Sequence, residues 1–172
     1  MSLNHKIISA RGKSPQISEN VFIAEGAKII SDVQIGRGSS IWYNTTLRGD
    51  VMPITIGTET NIQDGSTLHG TFGKYACRVG NRVTIGHNVV LHGCHIGDST
   101  LIGMGSIVMD GAVVPDHCVV GAGSLITEGK KFEPYSLILG RPAGFKRKLN
   151  DDEISFLEKS ADNYILYKSW YE

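Results

Sequence analysis

Aliphatic residues recur every six positions along most of the chain. The first run is Ile17, Ile23, Ile29, Ile35, Ile41 and Leu47. Ile56, Ile62 and Leu68 follow after a three-residue excess, and Val79, Ile85 and Leu91 after a five-residue excess. A one-residue deficit leads to Ile96, and Ile102, Val108, Val114, Val120 and Ile126 keep the phase. The fifth place of each unit is mostly small or β-branched (Ser39, Thr45, Ser66, Val83, Ala112, Cys118), as a tight interior corner requires. A period of six matches neither an isolated strand nor a helix. It predicts an all-β solenoid, a parallel β-helix in which three short strands make one triangular coil.

Every third unit then lies on the same face, one rung of about 4.8 Å above the last. One face carries Ile29, Leu47, Leu68, Leu91, Val108 and Ile126. The residue after an inward one points out, which places Arg48, His69 and His92 in a vertical column. His69 and His92, one rung apart, are spaced to share a metal ion at about 2.0–2.1 Å from each nitrogen. His87 ends the preceding corner, about 15 Å of extended chain from His92, so it would join that ion only from a neighbouring copy. In such a trimer the histidine face would meet the face carrying Ile62, Ile85 and Ile102, where Asn61 and Gln63 flank Ile62. The two excess segments (53–55 and about 74–78) and the deficit before Ile96 share one corner, and breaks in a repeat concentrate at functional places.

The chain ends depart from the repeat. Residues 1–16 are expected to cap the first coil, shielding an edge that would otherwise pair with another chain. Residues 127–145 read as a last irregular coil, with Pro142 stopping strand pairing. These segments give a β-helix domain over 1–145 and a C-terminal α-helix segment over 146–172, packed on the outside. The helix is expected to begin at Asn150 or Asp151, with Ile154, Leu157, Ala161, Ile165 and Lys168 on its buried face.

Composition narrows the function. Seventeen basic residues balance seventeen acidic ones, which gives no footing for nucleic acid or an anionic membrane. No apolar stretch reaches the length of a membrane span, and the polar start does not read as a signal peptide. Three unpaired cysteines, Cys77, Cys94 and Cys118, suit a reducing, cytoplasmic setting. His95 could serve the metal from outside the first ring of ligands or as a fourth ligand, and Cys94 could be a thiolate ligand. His5 and His117 read as solvent-exposed. Arg48 and Asp50 read as an ion pair across the subunit interface, or as part of an anion site for bicarbonate.

The stretches SIWYNTTLRGD, NIQDGSTLHG and TIGHNVVLHGC resemble the γ-class carbonic anhydrase family, over about residues 10–145. The tail SADNYILYKSWYE is similar to the bacterial branch of that family. The resemblance implies a left-handed β-helix of hexapeptide repeats and a homotrimer with zinc sites between subunits. His69 and His92 would come from one chain and His87 from the next, with iron or cobalt as other metals three imidazoles suit. It implies further that Arg48 and Asp50 pair between subunits. Gln63 and Asn61 would orient the attacking hydroxide and CO2, and Tyr164 would reach the site from the helix. A metal so held lowers the pKa of a water to about 7, which makes hydroxide available to convert CO2 to bicarbonate.

Two departures bear on speed. Archaeal members carry a glutamate after the Arg-Gly-Asp aspartate and another in an acidic loop; here Val51 holds the first place and TFGKYACR has no carboxylate. Proton export would fall to His95, a tyrosine or buffer. The alternatives on this scaffold are an acyl-CoA acyltransferase or thioesterase and a non-catalytic, metal-stabilised trimeric module.

Overall fold

The computed structural model describes residues 6–171, so His5 lies outside the described residues. The six-residue units fold as short strands that stack in parallel, one coil upon another, into a β-helix. Ile29, Leu47, Leu68, Leu91, Val108 and Ile126 pair in register up the first face. Ile23, Ile41, Ile62, Ile85, Ile102 and Val120 do so up the second, and Ile17, Ile35, Ile56, Val79, Ile96 and Val114 up the third. Their side chains fill the prism and form its core.

The corners explain the glycines and small hydroxyls. The fourth place of a unit adopts positive φ, as at Gly65 (φ +70°) and Asn88 (φ +55°), a turn that glycine and asparagine tolerate best. The glycine that follows the inward residue serves another need: a Cβ on Gly86 would stand 2.6 Å from the backbone nitrogen of Met104 in the next coil. At the fifth place, buried hydroxyls donate to carbonyls one coil on, Thr60 to Gly80 at 2.7 Å and Ser66 to Gly86 at 3.0 Å. These bonds satisfy polar groups the narrow corner would otherwise strand.

The breaks take different forms. The three-residue excess is absorbed into one long strand, Thr46–Ile56, whereas the five-residue excess makes a turn closed by an antiparallel bridge between Thr71 and Tyr75. Strand Ile7–Ile8 pairs with Ile29–Ile30 and covers the first edge.

At the other end the structure corrects the expectation that pairing stops at Pro142. Ser136–Gly140 adds a parallel rung above Val119–Val120, and Ala143–Lys148 returns antiparallel beside it. Pro142 stops nothing because it sits in the two-residue turn, where its missing N–H is not needed. His117 is also corrected. Its ring stacks on Tyr135 at 4.9 Å and 7°, and Nδ1 is buried without a hydrogen-bond partner among the described residues.

Helix α1, Asp151–Lys168, starts in a capping box: Asn150 Oδ1 accepts from the Glu153 N–H at 2.8 Å, and Glu153 Oε2 from the Asn150 N–H at 3.0 Å. It lies along the second face. Arg82 donates to Glu158 at 2.6 Å and to Asp162 at 2.7 Å, and Ser160 Oγ lies 3.0 Å from Thr84 Oγ1. Lys168 donates to the Asn20 carbonyl, and Tyr164 packs edge-on against Trp42 at 5.5 Å. The middle of the second face, at Trp42 and Thr84, is therefore covered by the chain's own helix. At the corner beyond it His87 stays half-exposed, while Gln63 is buried.

Candidate metal centre

Strands Thr67–His69 and Val90–His92 pair with His69 opposite His92. The two rings lean together, with His69 Nδ1 3.3 Å from His92 Nε2. Their far nitrogens are each held by a carboxylate: His69 Nε2 is 3.0 Å from Asp50 Oδ1, and His92 Nδ1 is 2.7 Å from Asp110 Oδ1. Burial works against ionisation of Asp50, but hydrogen bonds from Arg48 and His69 outweigh it and hold its pKa below the ordinary value. Asp110 behaves likewise: burial opposes ionisation, and bonds from Thr71 and His92 overcome it.

Two ionised carboxylates can only accept, so each far imidazole nitrogen carries the hydrogen. In neutral rings the lone pairs of His69 Nδ1 and His92 Nε2 then face each other, an arrangement that a shared cation or proton relieves. The 3.3 Å separation matches the edge of a tetrahedral site with bonds of about 2.0–2.1 Å, roughly 3.3–3.4 Å. Imidazoles backed by carboxylates are the donor set that metal sites use. The pair fits a metal, and a single chain supplies only part of the set. Among the described residues no group of three or more His, Cys, Asp or Glu side chains is placed to hold an ion.

The remaining predicted residues gather at the corner leading onto this face. His87 Nδ1 is 2.7 Å from Asp64 Oδ2, which leaves its Nε2 outward on a half-exposed ring. Gln63 Nε2 donates to Asn61 Oδ1 at 3.1 Å, and Asn61 Nδ2 to Thr84 Oγ1 at 3.0 Å. Asn61 is 1% exposed beneath the helix, and its Oδ1 holds the Gln63 amide. Tyr164 shares a pocket of about 200 Å³ with Asp64, His87, Trp42 and Tyr171. Burial and the Asp64 charge push its pKa up to about 12, so its hydroxyl keeps its proton at neutral pH.

Within the chain, Arg48 Nη1 donates to both Asp50 oxygens at 2.8 and 3.1 Å, because residues two apart on a strand point the same way. Two expectations change. Cys94 is no ligand: it is 2% exposed in the core, and the neighbouring Cys77 thiol together with burial pushes its pKa up. His95 lies on the third face, in register with Arg78, away from the histidine pair.

Asp110 and its own support, Thr71 Oγ1 donating to Oδ2 at 2.5 Å, were not foreseen. A signal was present. Asp110 stands two places after Val108, where the lower coils of that face put Gly49, Gly70 and Gly93. Glycine clears the way: a Cβ on Gly93 would stand 2.2 Å from Asp110 Oδ1.

Fold and side chains together define a hexapeptide-repeat β-helix protein with a histidine pair on one face. A family of bacterial hexapeptide transferases, described by six repeats, matches residues 14–49 and 93–128. The carbonic anhydrase of Geobacillus kaustophilus is 44% identical over 162 residues, covering 94% of this chain and 88% of that protein. Mitochondrial gamma carbonic anhydrase 1 of Arabidopsis thaliana is 43% identical over 95% of this chain, which spans 62% of that protein's length. A solved hexapeptide transferase family protein from Anaplasma phagocytophilum superposes with a TM-score of 0.93 at 45% identity, covering 98% of this chain and 99% of that one. The chain belongs to the γ-class carbonic anhydrase family. No helix of the described residues is long and apolar enough to cross a membrane.

Proposed function

We propose that this protein is a metal-dependent carbonic anhydrase that interconverts CO2 and bicarbonate at sites between the subunits of a homotrimer. The observation that carries the reading is the pair of imidazole nitrogens 3.3 Å apart, each ring held from behind by a carboxylate. His69 and His92 of one copy would hold zinc, iron or cobalt together with His87 of a neighbouring copy. The metal, when bound, supplies a Lewis acid that lets a water lose its proton near neutral pH.

The chain's own residues do the rest. Asp50, Asp110 and Asp64 fix the tautomer and aim of His69, His92 and His87. Gln63, held by Asn61, keeps amide hydrogen-bonding capacity beyond that one bond and would orient water and CO2. Arg48 holds Asp50. Tyr164, protonated at neutral pH, can donate a hydrogen bond but cannot accept the released proton as a base. With no carboxylate in residues 71–78, proton export to buffer limits turnover.

The test is metal stoichiometry together with stopped-flow CO2 hydration on metal-loaded protein and on His92→Ala. One metal per chain and a hydration rate that falls at least a hundredfold in the variant are expected. Equal rates in the two proteins would refute the reading.

A further inference from the structure

Across the corner from the histidine face, the long insertion and the one-residue deficit open onto a single pocket of about 200 Å³. Lys74, Arg78 and His95 line it, and no carboxylate does. Arg78 and His95 are register partners on adjacent strands, so their side chains leave the prism side by side, about 4.8 Å apart at the backbone. Neither side chain has a hydrogen-bond or ion-pair partner among the described residues. Lys74 reaches over the Tyr75 ring at 5.3 Å. Tyr75 is pinned in turn against two glycines: a Cβ on Gly93 would stand 2.7 Å from its Cβ, and one on Gly111 3.1 Å from its ring.

Lys74 and Arg78 bring two cations to one small pocket that no carboxylate lines, with the His95 ring beside them. The chain as a whole is neutral, so this is a local concentration of positive charge and not a general basic surface. The volume is below that of usual organic-ligand pockets and ample for a triatomic or tetrahedral anion. The arginine fork and the lysine ammonium suit oxygen acceptors.

We propose that Lys74, Arg78 and His95 form a binding site for a small oxyanion of bicarbonate or phosphate size. It is separate from the histidine pair, although Gly93 and Gly111, which line it, directly follow His92 and Asp110 in sequence. It is independent of the metal reading above.

The test is isothermal titration of the full chain at low ionic strength, with inorganic phosphate and bicarbonate in separate runs. Saturable binding at one site per chain is expected, with the tighter anion identifying the source. Affinity should fall at least tenfold in Arg78→Gln and in Lys74→Gln. Both are exposed positions, and circular dichroism checks their folding. Lys159→Gln, exposed on α1 at the second face, should leave it unchanged. Binding should persist in His92→Ala, which separates this site from the proposed metal centre. Absence of saturable binding for both anions, indifference to both Arg78→Gln and Lys74→Gln, or loss in His92→Ala would overturn the proposal.

Discussion

Replacing Asp110 tests the geometry of the metal centre at its most specific point. The carboxylate takes the His92 Nδ1 hydrogen at 2.7 Å and is itself held by Thr71 at 2.5 Å, with 21% of its side chain exposed. In Asp110→Asn the amide oxygen can still accept from His92 while Thr71 turns to accept from the amide nitrogen. The ring keeps its aim and loses the negative charge that makes it a stronger donor. In Asp110→Ala both are lost. Carboxylates behind ligand imidazoles are worth about 10–100-fold in metal affinity. Asn should thus sit near tenfold, about 1.4 kcal/mol, and Ala near a hundredfold, about 2.8 kcal/mol. Competition with a chromophoric chelator at neutral pH measures both, with Glu128→Gln on the exposed surface as the control. Wild-type zinc affinity in a folded Asp110→Ala protein would refute the tautomer argument and, with it, the assignment of the facing lone pairs.

Gly93→Ala should reproduce the Asp110→Ala loss of metal and also destabilise by about 1–2 kcal/mol in urea unfolding, because its φ of +55° disfavours a Cβ that would strike the carboxylate. Arg82→Gln should loosen α1 from the second face at a cost on the order of 1 kcal/mol, read from Trp42 fluorescence during denaturation, since it breaks pairs to Glu59, Glu158 and Asp162. Glu153 is held at about 2, chiefly by Arg147 and then by the Asn150 N–H, against an ordinary 4.5. Its folded pKa is depressed, so its contribution to the helix start is complete above pH 4.5 and is lost as pH falls toward 2. An NMR titration of its carboxyl with a midpoint near 4.5 would contradict the capping geometry.

The inward residues were legible because a triangular coil leaves one acceptable place for each aliphatic. A slip of one residue would turn Leu68 or Ile85 out to solvent, so the six-residue phase carries the whole register. The His69–His92 pairing followed from the same rule. The carboxylates behind the rings were harder to find. Asp110 is far from His92 in sequence and reaches it only because one full coil closes between them, and it is marked solely by interrupting a column of glycines. The buried side of α1 was legible from its spacing, and Leu157, Ala161 and Lys168 are buried as expected, but the polar partners that fix it at Thr84, Arg82 and Ser99 were not. The C-terminal hairpin was missed because Pro142 reads as a breaker until its place in the turn is known.

A parallel solenoid has no intrinsic length, since each rung offers the next an identical template and another unit could always be laid on top. The returning strand Ala143–Lys148 ends that growth by reversing direction, so the edge beyond it no longer repeats the parallel template. A further coil laid there would find its donors and acceptors out of step, which is one way a sheet edge is blunted against pairing with another chain.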